Sequence, residues 1–322
     1  MSKKFLSALL IGGILITSVP VEAENRVEVA GKNYAQLFRN DSIVDAKSDP
    51  ELAEIMKRFI YGEIDLTSNL TLQQKQLVTI VVLATNQNHK LLKKNIEGSL
   101  NAGITPLEIR ESLYHIAPYI GFGKVFEALD VANEVFKKRG IKLPLPNQGA
   151  VTEENRLEKG LEIQVGTFGD RITKMRETAP EDEKFVQDGL SDYCFGDIYT
   201  RGTLDLKMRE LLTMSALATL GVEPQLKGHI AGNLTVGNDR KTILSAIAQA
   251  LPYIGFPRTL NAIRCVNEVT NTKKLAKVKY KLTSKNLVEH FFLSASRIQK
   301  MIRILQEKVM SHGFQTKFRW EM

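Results

Sequence analysis

Glu210 lies in the stretch Leu206-Lys207-Met208-Arg209-Glu210-Leu211, and His229 follows shortly after Glu223-Pro224-Gln225-Leu226. A carboxylate and an imidazole together can move a proton near neutral pH without a cofactor. Glu210 shares a helical face with Leu206, Met214 and Leu217, and burial on that face makes a carboxyl a useful acid or base. Asp197, Arg201 and Arg209 are close in sequence, and an arginine can hold a carboxylate through two parallel N–H bonds. The set suits decarboxylation of, or proton transfer on, a small organic acid. His229 and Glu210 are the candidate catalytic pair, and Arg209, Arg201 and Asp197 are the candidates for binding the substrate. The plainer alternative is structural: Arg209 pairs with Asp197 to tie two helices, and His229 is a satisfied histidine at a helix interface.

Other chemistries find less support. The five histidines are scattered, so no metal cluster is expected. There is no glycine-rich phosphate loop and no Ser-His-Asp signature. No Cys-x-x-Cys occurs. Cys194 and Cys265 are isolated and read first as buried apolar residues, with a disulfide between them as the alternative.

These residues sit in the second half of a duplicated chain. Shifted by 134, the sequence matches itself without a gap, and 23 of the 66 positions from 70 to 135 recur. Pro118-Tyr119-Ile120-Gly121-Phe122 returns as Pro252-Tyr253-Ile254-Gly255-Phe256, and Leu83-Ala84-Thr85 returns as Leu217-Ala218-Thr219. A register this long points to duplication of a structural unit.

Each copy reads as helices. Leu77, Ile80, Val81 and Ala84 share one helical face, as do Leu211, Met214 and Ala218. Leu92, Ile96 and Leu100 mark a second helix, matched by Leu226, Ile230 and Leu234, with Gly103 and Gly237 placed to end it. Thr105, Pro106 and Glu108 form a helix start with a capping box, and Asp239 caps the matching helix. The Pro-Tyr-Ile-Gly-Phe turn leads to a fourth helix, which carries Leu260, Ile263 and Val266 inward in copy two. A further helix precedes each copy, with Leu52, Ile55, Met56 and Phe59 in 50–62 and Phe185, Leu190 and Phe195 in 181–195. No stretch alternates with period two over strand length, so the fold is expected to be all-α, with the two units packed about a pseudo-twofold axis.

The expected organisation is a signal peptide over 1–23, an N-terminal segment over 24–48, repeat one over 49–140, a linker over 141–153, repeat two over 154–272 and a basic tail over 273–322. Lys3 and Lys4, the apolar run from Phe5 to Thr17, and Val21-Glu22-Ala23 point to export to the periplasm or beyond. The tail holds twelve Lys/Arg against three Glu, more than the whole net charge of +8, so the basic balance implies no nucleic-acid partner for the core. From Ser284 to Gly313 a heptad seam of Val288, Phe291, Ala295, Ile298, Ile302, Leu305 and Val309 predicts one long helix. Docking or oligomerisation is favoured for it over contact with a membrane surface.

Repeat two resembles the carboxymuconolactone decarboxylase family. The resemblance rests on Leu206–Leu211, Gly221, Glu223-Pro224-Gln225-Leu226, His229, Gly237 and Pro252-Tyr253-Ile254-Gly255-Phe256-Pro257, with copy one a weaker second example. It implies an alkylhydroperoxidase-D-like helical unit, cofactor-free decarboxylation, and assembly as a homo-oligomer, with a trimer of two-repeat chains favoured. In the peroxidase branch of that superfamily, a Cys-x-x-Cys precedes the histidine. Those positions here are Val222 and Gln225, which form neither thiolate nor disulfide. In copy one, Gln76 and Asn95 replace Glu210 and His229, so copy one reads as scaffold. The first reading is a cofactor-free lyase or isomerase-like enzyme. The alternatives are a peroxiredoxin-like antioxidant and a non-catalytic binding or assembly protein.

Overall fold

The computed structural model describes residues 25–39, 41–44 and 47–283, and for 272–283 the backbone alone. Every regular element among them is helical. The expected leader and the expected helix from 284 onward lie outside these residues.

Repeat one comprises α2 (Pro50–Arg58), α3 (Leu72–Thr85), α4 (His89–Asn101), α5 (Pro106–His115) and α6 (Phe122–Lys138), preceded by α1 (Arg26–Phe38). After α2 the helix widens into a π-helical stretch, Phe59–Ile64. Repeat two follows the same plan with α7 (Arg156–Phe168), α8 (Arg171–Glu177), α9 (Lys184–Gly189), α10 (Leu206–Leu220), α11 (Glu223–Thr235) and α12 (Arg240–Thr283). A π-helical stretch, Leu190–Tyr199, continues α9. Residues 145–150 run without regular structure between the copies, as their Pro and Gly content predicts.

The helix ends follow from local chemistry. Thr71 with Gln74, and Thr105 with Glu108, form reciprocal capping boxes that satisfy otherwise unpaired first-turn N–H groups. Gly103 and Gly237 adopt φ of 89° and 95° and end their helices as expected. Gly255 at φ 74° bends α12, which then continues to Thr283. The lysine-rich start of the expected tail is therefore backbone-helical and continuous with repeat two.

Burial departs from the expected single stripes. In α3 every residue from Gln76 to Thr85 is buried, and in α10 every residue from Met208 to Thr219. A helix buried all round is a central one, and α3 and α10 pack against each other. Leu77, Ile80, Leu83, Leu211, Met214 and Leu217 thus belong to one core shared by both copies. Leu260, expected inward, is 59% exposed because Ala262, Cys265 and Val266 form the inner face of α12. Leu52, Ile55 and Phe185 likewise lie on the surface.

The N-terminal segment, expected without an element, supplies α1. Ala30, Leu37 and Phe38 pack on Ile60 and Tyr61. Helix α7 plays the same part in repeat two, where a Cβ on Gly160 would lie 1.9 Å from the Ser191 carbonyl oxygen. Only glycine lets α7 approach the π-helical stretch so closely, and that stretch carries Cys194, Phe195 and Tyr199.

Candidate active site

Helix α10 presents Glu210 to α11, which carries His229. A Cβ on Gly232 would lie 2.7 Å from Glu210 Oε2 and 2.8 Å from the Phe168 ring, so glycine at this turn admits the carboxylate. Glu210 is fully buried, while the His229 side chain keeps 13% of its surface. Glu210 Oε2 lies 2.9 Å from His229 Nδ1. The Tyr199 hydroxyl donates to Glu210 Oε1 at 2.8 Å. With Glu210 as a carboxylate, His229 Nδ1 carries the shared proton and Nε2 is the ring nitrogen left for other partners. The Tyr119 and Phe168 rings stand edge-on to the imidazole, with centroids at 5.6 and 5.1 Å.

Behind Glu210 the hydrogen bonds continue into repeat one. The Tyr199 hydroxyl lies 2.9 Å from that of Tyr119 and 3.0 Å from Thr213 Oγ1. The Cys194 thiol reaches the Tyr119 oxygen at 3.7 Å. His115 Nε2 is 2.9 Å from both Thr213 Oγ1 and the Arg209 carbonyl oxygen. Arg209 Nη1 is 3.2 Å from His115 Nδ1, and because arginine only donates, Nε2 carries the His115 proton. Burial, and then the Arg209 charge, push the His115 pKa well below the usual histidine range, so it stays neutral. Burial first, then nearby groups including Glu210, push both Tyr119 and Tyr199 well above the ordinary tyrosine value. Both remain phenols and can donate.

The three residues nominated for substrate binding occupy other bonds. Arg209 is 1% exposed. It donates to the carbonyls of Leu204, Arg201 and Gly202 at 3.1, 2.6 and 3.1 Å. Burial lowers its pKa to about 10, which leaves it cationic at neutral pH. Arg201 grips fully buried Glu111 of repeat one at 2.7 and 3.1 Å. Asp197 pairs with Arg156 of α7, Nε to Oδ1 at 2.9 Å, and not with Arg209. The sequence reading missed Arg171. It is exposed, and its guanidinium lies 5.8 Å from the centre of the Phe168 ring that abuts His229. Its Nη2 would be 3.8 Å from a Cβ on Gly228. No carboxylate pairs with it among the described residues.

Both cysteines are free and buried, which settles the disulfide alternative. Burial pushes the Cys194 thiol up to about 12. Val222 and Gln225, at the start of α11, are exposed. Among the described residues no three His, Cys, Asp or Glu side chains gather to hold a metal ion.

A cavity of about 590 Å³ lies away from His229. Ile60, Leu91 and Tyr253 line it, at the positions matching Cys194, Gln225 and Tyr119. It is repeat one's counterpart of the candidate site, and its walls are mostly apolar. The matching pair behind it is inert: Asn95 donates to the Leu91 carbonyl at 2.9 Å, and Gln76 accepts from Ser99 at 3.1 Å. The candidate site is located by its chemistry, because Gln76 and Asn95 exchange no protons near neutral pH.

The sequence is similar to those of two decarboxylases. Over 120 residues the chain is 29% identical to 4-carboxymuconolactone decarboxylase of Acinetobacter baylyi, covering 37% of this chain and 90% of that protein. Over 123 residues it is 28% identical to nitrosuccinic acid decarboxylase of Metarhizium robertsii, covering 37% of this chain and 84% of that one. The profile of one family fits twice, over residues 50–134 and 186–268, once for each helical repeat. With both of its repeats matched, the chain belongs to the carboxymuconolactone decarboxylase family.

Proposed function

We propose that repeat two decarboxylates a small organic acid, with His229 as the proton carrier and Glu210 as the group that orients and charges it. The observation carrying this reading is the fully buried Glu210 carboxylate against His229 Nδ1 at 2.9 Å, on an imidazole that keeps access to solvent. Loss of CO2 breaks a carbon–carbon bond and leaves its electron pair on the remaining fragment. An electron-withdrawing neighbour, such as the lactone or nitro group named for the two relatives, accepts that pair. A proton from His229 Nε2 then closes the new C–H bond. Glu210 stabilises the imidazolium that donates it, and solvent restores the proton afterwards.

Arg171 is the cation we assign to a substrate carboxylate, in place of Arg201 and Arg209, because no carboxylate among the described residues pairs with it. A dithiol peroxide cycle has no support: Val222 and Gln225 stand where its thiols would be, and Cys194 is held protonated.

The test converts repeat two into repeat one. His229→Asn is expected to lower turnover of a lactone or nitro acid by on the order of 10²–10⁴, the usual worth of a general acid–base group. Asn95→Ala, at the matching position, is expected to leave it unchanged. Undiminished turnover in His229→Asn, on a substrate the unaltered protein converts, sinks the assignment.

A further inference from the structure

The repeat without acid–base residues reaches into the site of the other. Tyr119 belongs to the Pro-Tyr-Ile-Gly-Phe turn of repeat one, yet its hydroxyl lies 2.9 Å from Tyr199 and its ring stands edge-on to His229. The direction of the bonds follows from their ends. An ionised Glu210 can only accept, so Tyr199 gives its proton to Glu210 Oε1. Tyr199 must then accept from Tyr119, and Tyr119 in turn accepts from the Cys194 thiol. A second branch enters through Thr213 from His115, also a residue of repeat one. Every donor on these paths points toward Glu210. Bonds ordered this way strengthen one another, most of all when buried.

We infer that Tyr119 is a positioning residue for the reaction in repeat two, holding Tyr199 on Glu210 and thereby setting how firmly Glu210 holds the His229 proton. This deepens the proposal above and rests on His229 as the proton carrier. Repeat one is on this view half of the active site and more than scaffold. The molecule carries its own control. Tyr253 of repeat two sits at the matching place in repeat one, where Asp65 replaces Tyr199 and pairs with Lys75 at 2.7 Å, and where Gln249 replaces His115 on Thr79 at 3.1 Å. No acid–base pair lies at the end of that arrangement.

The sign follows. Without the Tyr119 hydroxyl, Tyr199 is a weaker donor, more negative charge remains on Glu210, and protonated His229 is favoured. The other charged and titratable groups around His229 are retained, and of them Cys194 loses its bond to the Tyr119 oxygen while staying a neutral thiol. They are Arg171 beside Gly228, His115 and Cys194 behind Tyr119, and on α11 itself Glu223 and Lys227, which pair with Arg264 and Glu268 of α12.

The experiment follows the ring nitrogens of His229 by NMR against pH in the full chain, with imidazole-labelled histidine and His229→Gln to assign the signals. Tyr119→Phe is expected to move the His229 titration upward by roughly 0.3–1 pH unit, the scale of one buried hydrogen bond. Tyr253→Phe is expected to leave it in place. Should Tyr119→Phe fail to fold, Thr213→Val removes the second branch and carries the same expectation. A His229 titration in the folded variant that superposes on the unaltered protein overturns the inference. The readout needs no turnover: a shifted titration in a protein that decarboxylates no lactone or nitro acid overturns the decarboxylase reading, and with it the role in that reaction, and leaves only the control of the His229 proton by Tyr119.

Discussion

Repeat one holds a cavity of about 590 Å³, and repeat two holds the Glu210–His229 pair. In repeat one the cavity opens between Phe59 and Phe256, while Gln76 and Asn95 stand where an acid–base pair would be. In repeat two the matching aromatic residues, Tyr193 and Phe122, close to 5.4 Å between ring centres, and Glu210 and His229 stand beneath. What both copies keep is the crossing between them: a tyrosine at 119 or 253, and a threonine at 213 or 79 bonded to His115 or Gln249. The shared part of the fold is therefore the joint. The Glu210–His229 pair is found on one side, with Gln76 and Asn95 at the matching positions of the other.

The comparison breaks most easily at its buried charges. After the loss of turnover expected for His229→Asn, the next largest effect belongs to Arg209→Met. Arg209 and its counterpart Lys75 differ in burial, with 1% of Arg209 and 15% of the Lys75 side chain exposed. Removing Arg209 takes the side-chain donor from the Leu204 and Arg201 carbonyls and from His115 Nδ1, while the Gly202 carbonyl keeps the Leu204 N–H at 3.0 Å, so a loss of about 3–5 kcal/mol is expected. Lys75→Met breaks one ion pair whose Asp65 carboxylate keeps Asn33 as a donor, and it is expected to cost about 1–3 kcal/mol. Denaturant unfolding of both variants decides it, and equal losses would mean that the two joints are built alike.

A smaller effect concerns acid. His115 is held neutral in the folded protein, with its pKa depressed by burial and by Arg209. Below about pH 6.5 the unfolded chain binds a proton there that the folded chain refuses, so stability falls as pH falls. His115→Gln places the neighbouring repeat's residue in that seat. It is expected to flatten the loss between pH 6.5 and 5 by up to about 1.4 kcal/mol per pH unit. Stability curves of equal slope for the two proteins would show that His115 takes up no proton on unfolding.

The smallest effect is expected at Cys194, whose counterpart is Ile60. A thiol pushed up to about 12 and bonded only to Tyr119 holds no thiolate at neutral pH. Cys194→Ser is expected to change turnover by less than roughly threefold, within the range of one exchanged hydrogen bond. Folded protein should react slowly with a thiol reagent. Rapid labelling of Cys194 together with peroxide consumption would restore the antioxidant reading.

Much of this was legible in the sequence where the controlling interactions are local. The Thr105–Glu108 capping box, the helix-ending Gly103 and Gly237, and the duplication all depend on neighbours in the chain or on exact recurrence. Glu210 and His229 were legible through their spacing in a recognisable pattern. The partners of Glu210 were not. Tyr199 and Thr213 look like ordinary core residues, and Tyr119 meets Tyr199 across 80 residues. Tyr119 left one trace, its recurrence as Tyr253, which a turn motif explained equally well. Nearness in sequence misled for Asp197 and Arg209, because Asp197 takes its partner from α7, 41 residues away. Helix α1 lies outside the recurring stretch 70–135, and it is held by packing of Ala30, Leu37 and Phe38 that only the fold reveals.

The bond between Tyr119 and Tyr199 also bears on how such a chain can change over generations. Two identical subunits built from one gene must alter both of their sites whenever either is altered. One continuous chain is free of that rule, so Gln76 and Asn95 could arise in one copy while Glu210 and His229 persisted in the other. The freedom is partial. A substitution at Tyr119 or His115 is recorded in repeat one but felt beside Glu210, where a buried hydroxyl or imidazole would lose its partner. Drift in the inert copy is thus bounded by the neighbour wherever its side chains cross to it, and at Gln76 and Asn95, whose bonds to Ser99 and Leu91 stay within their own repeat, it is bounded by local packing.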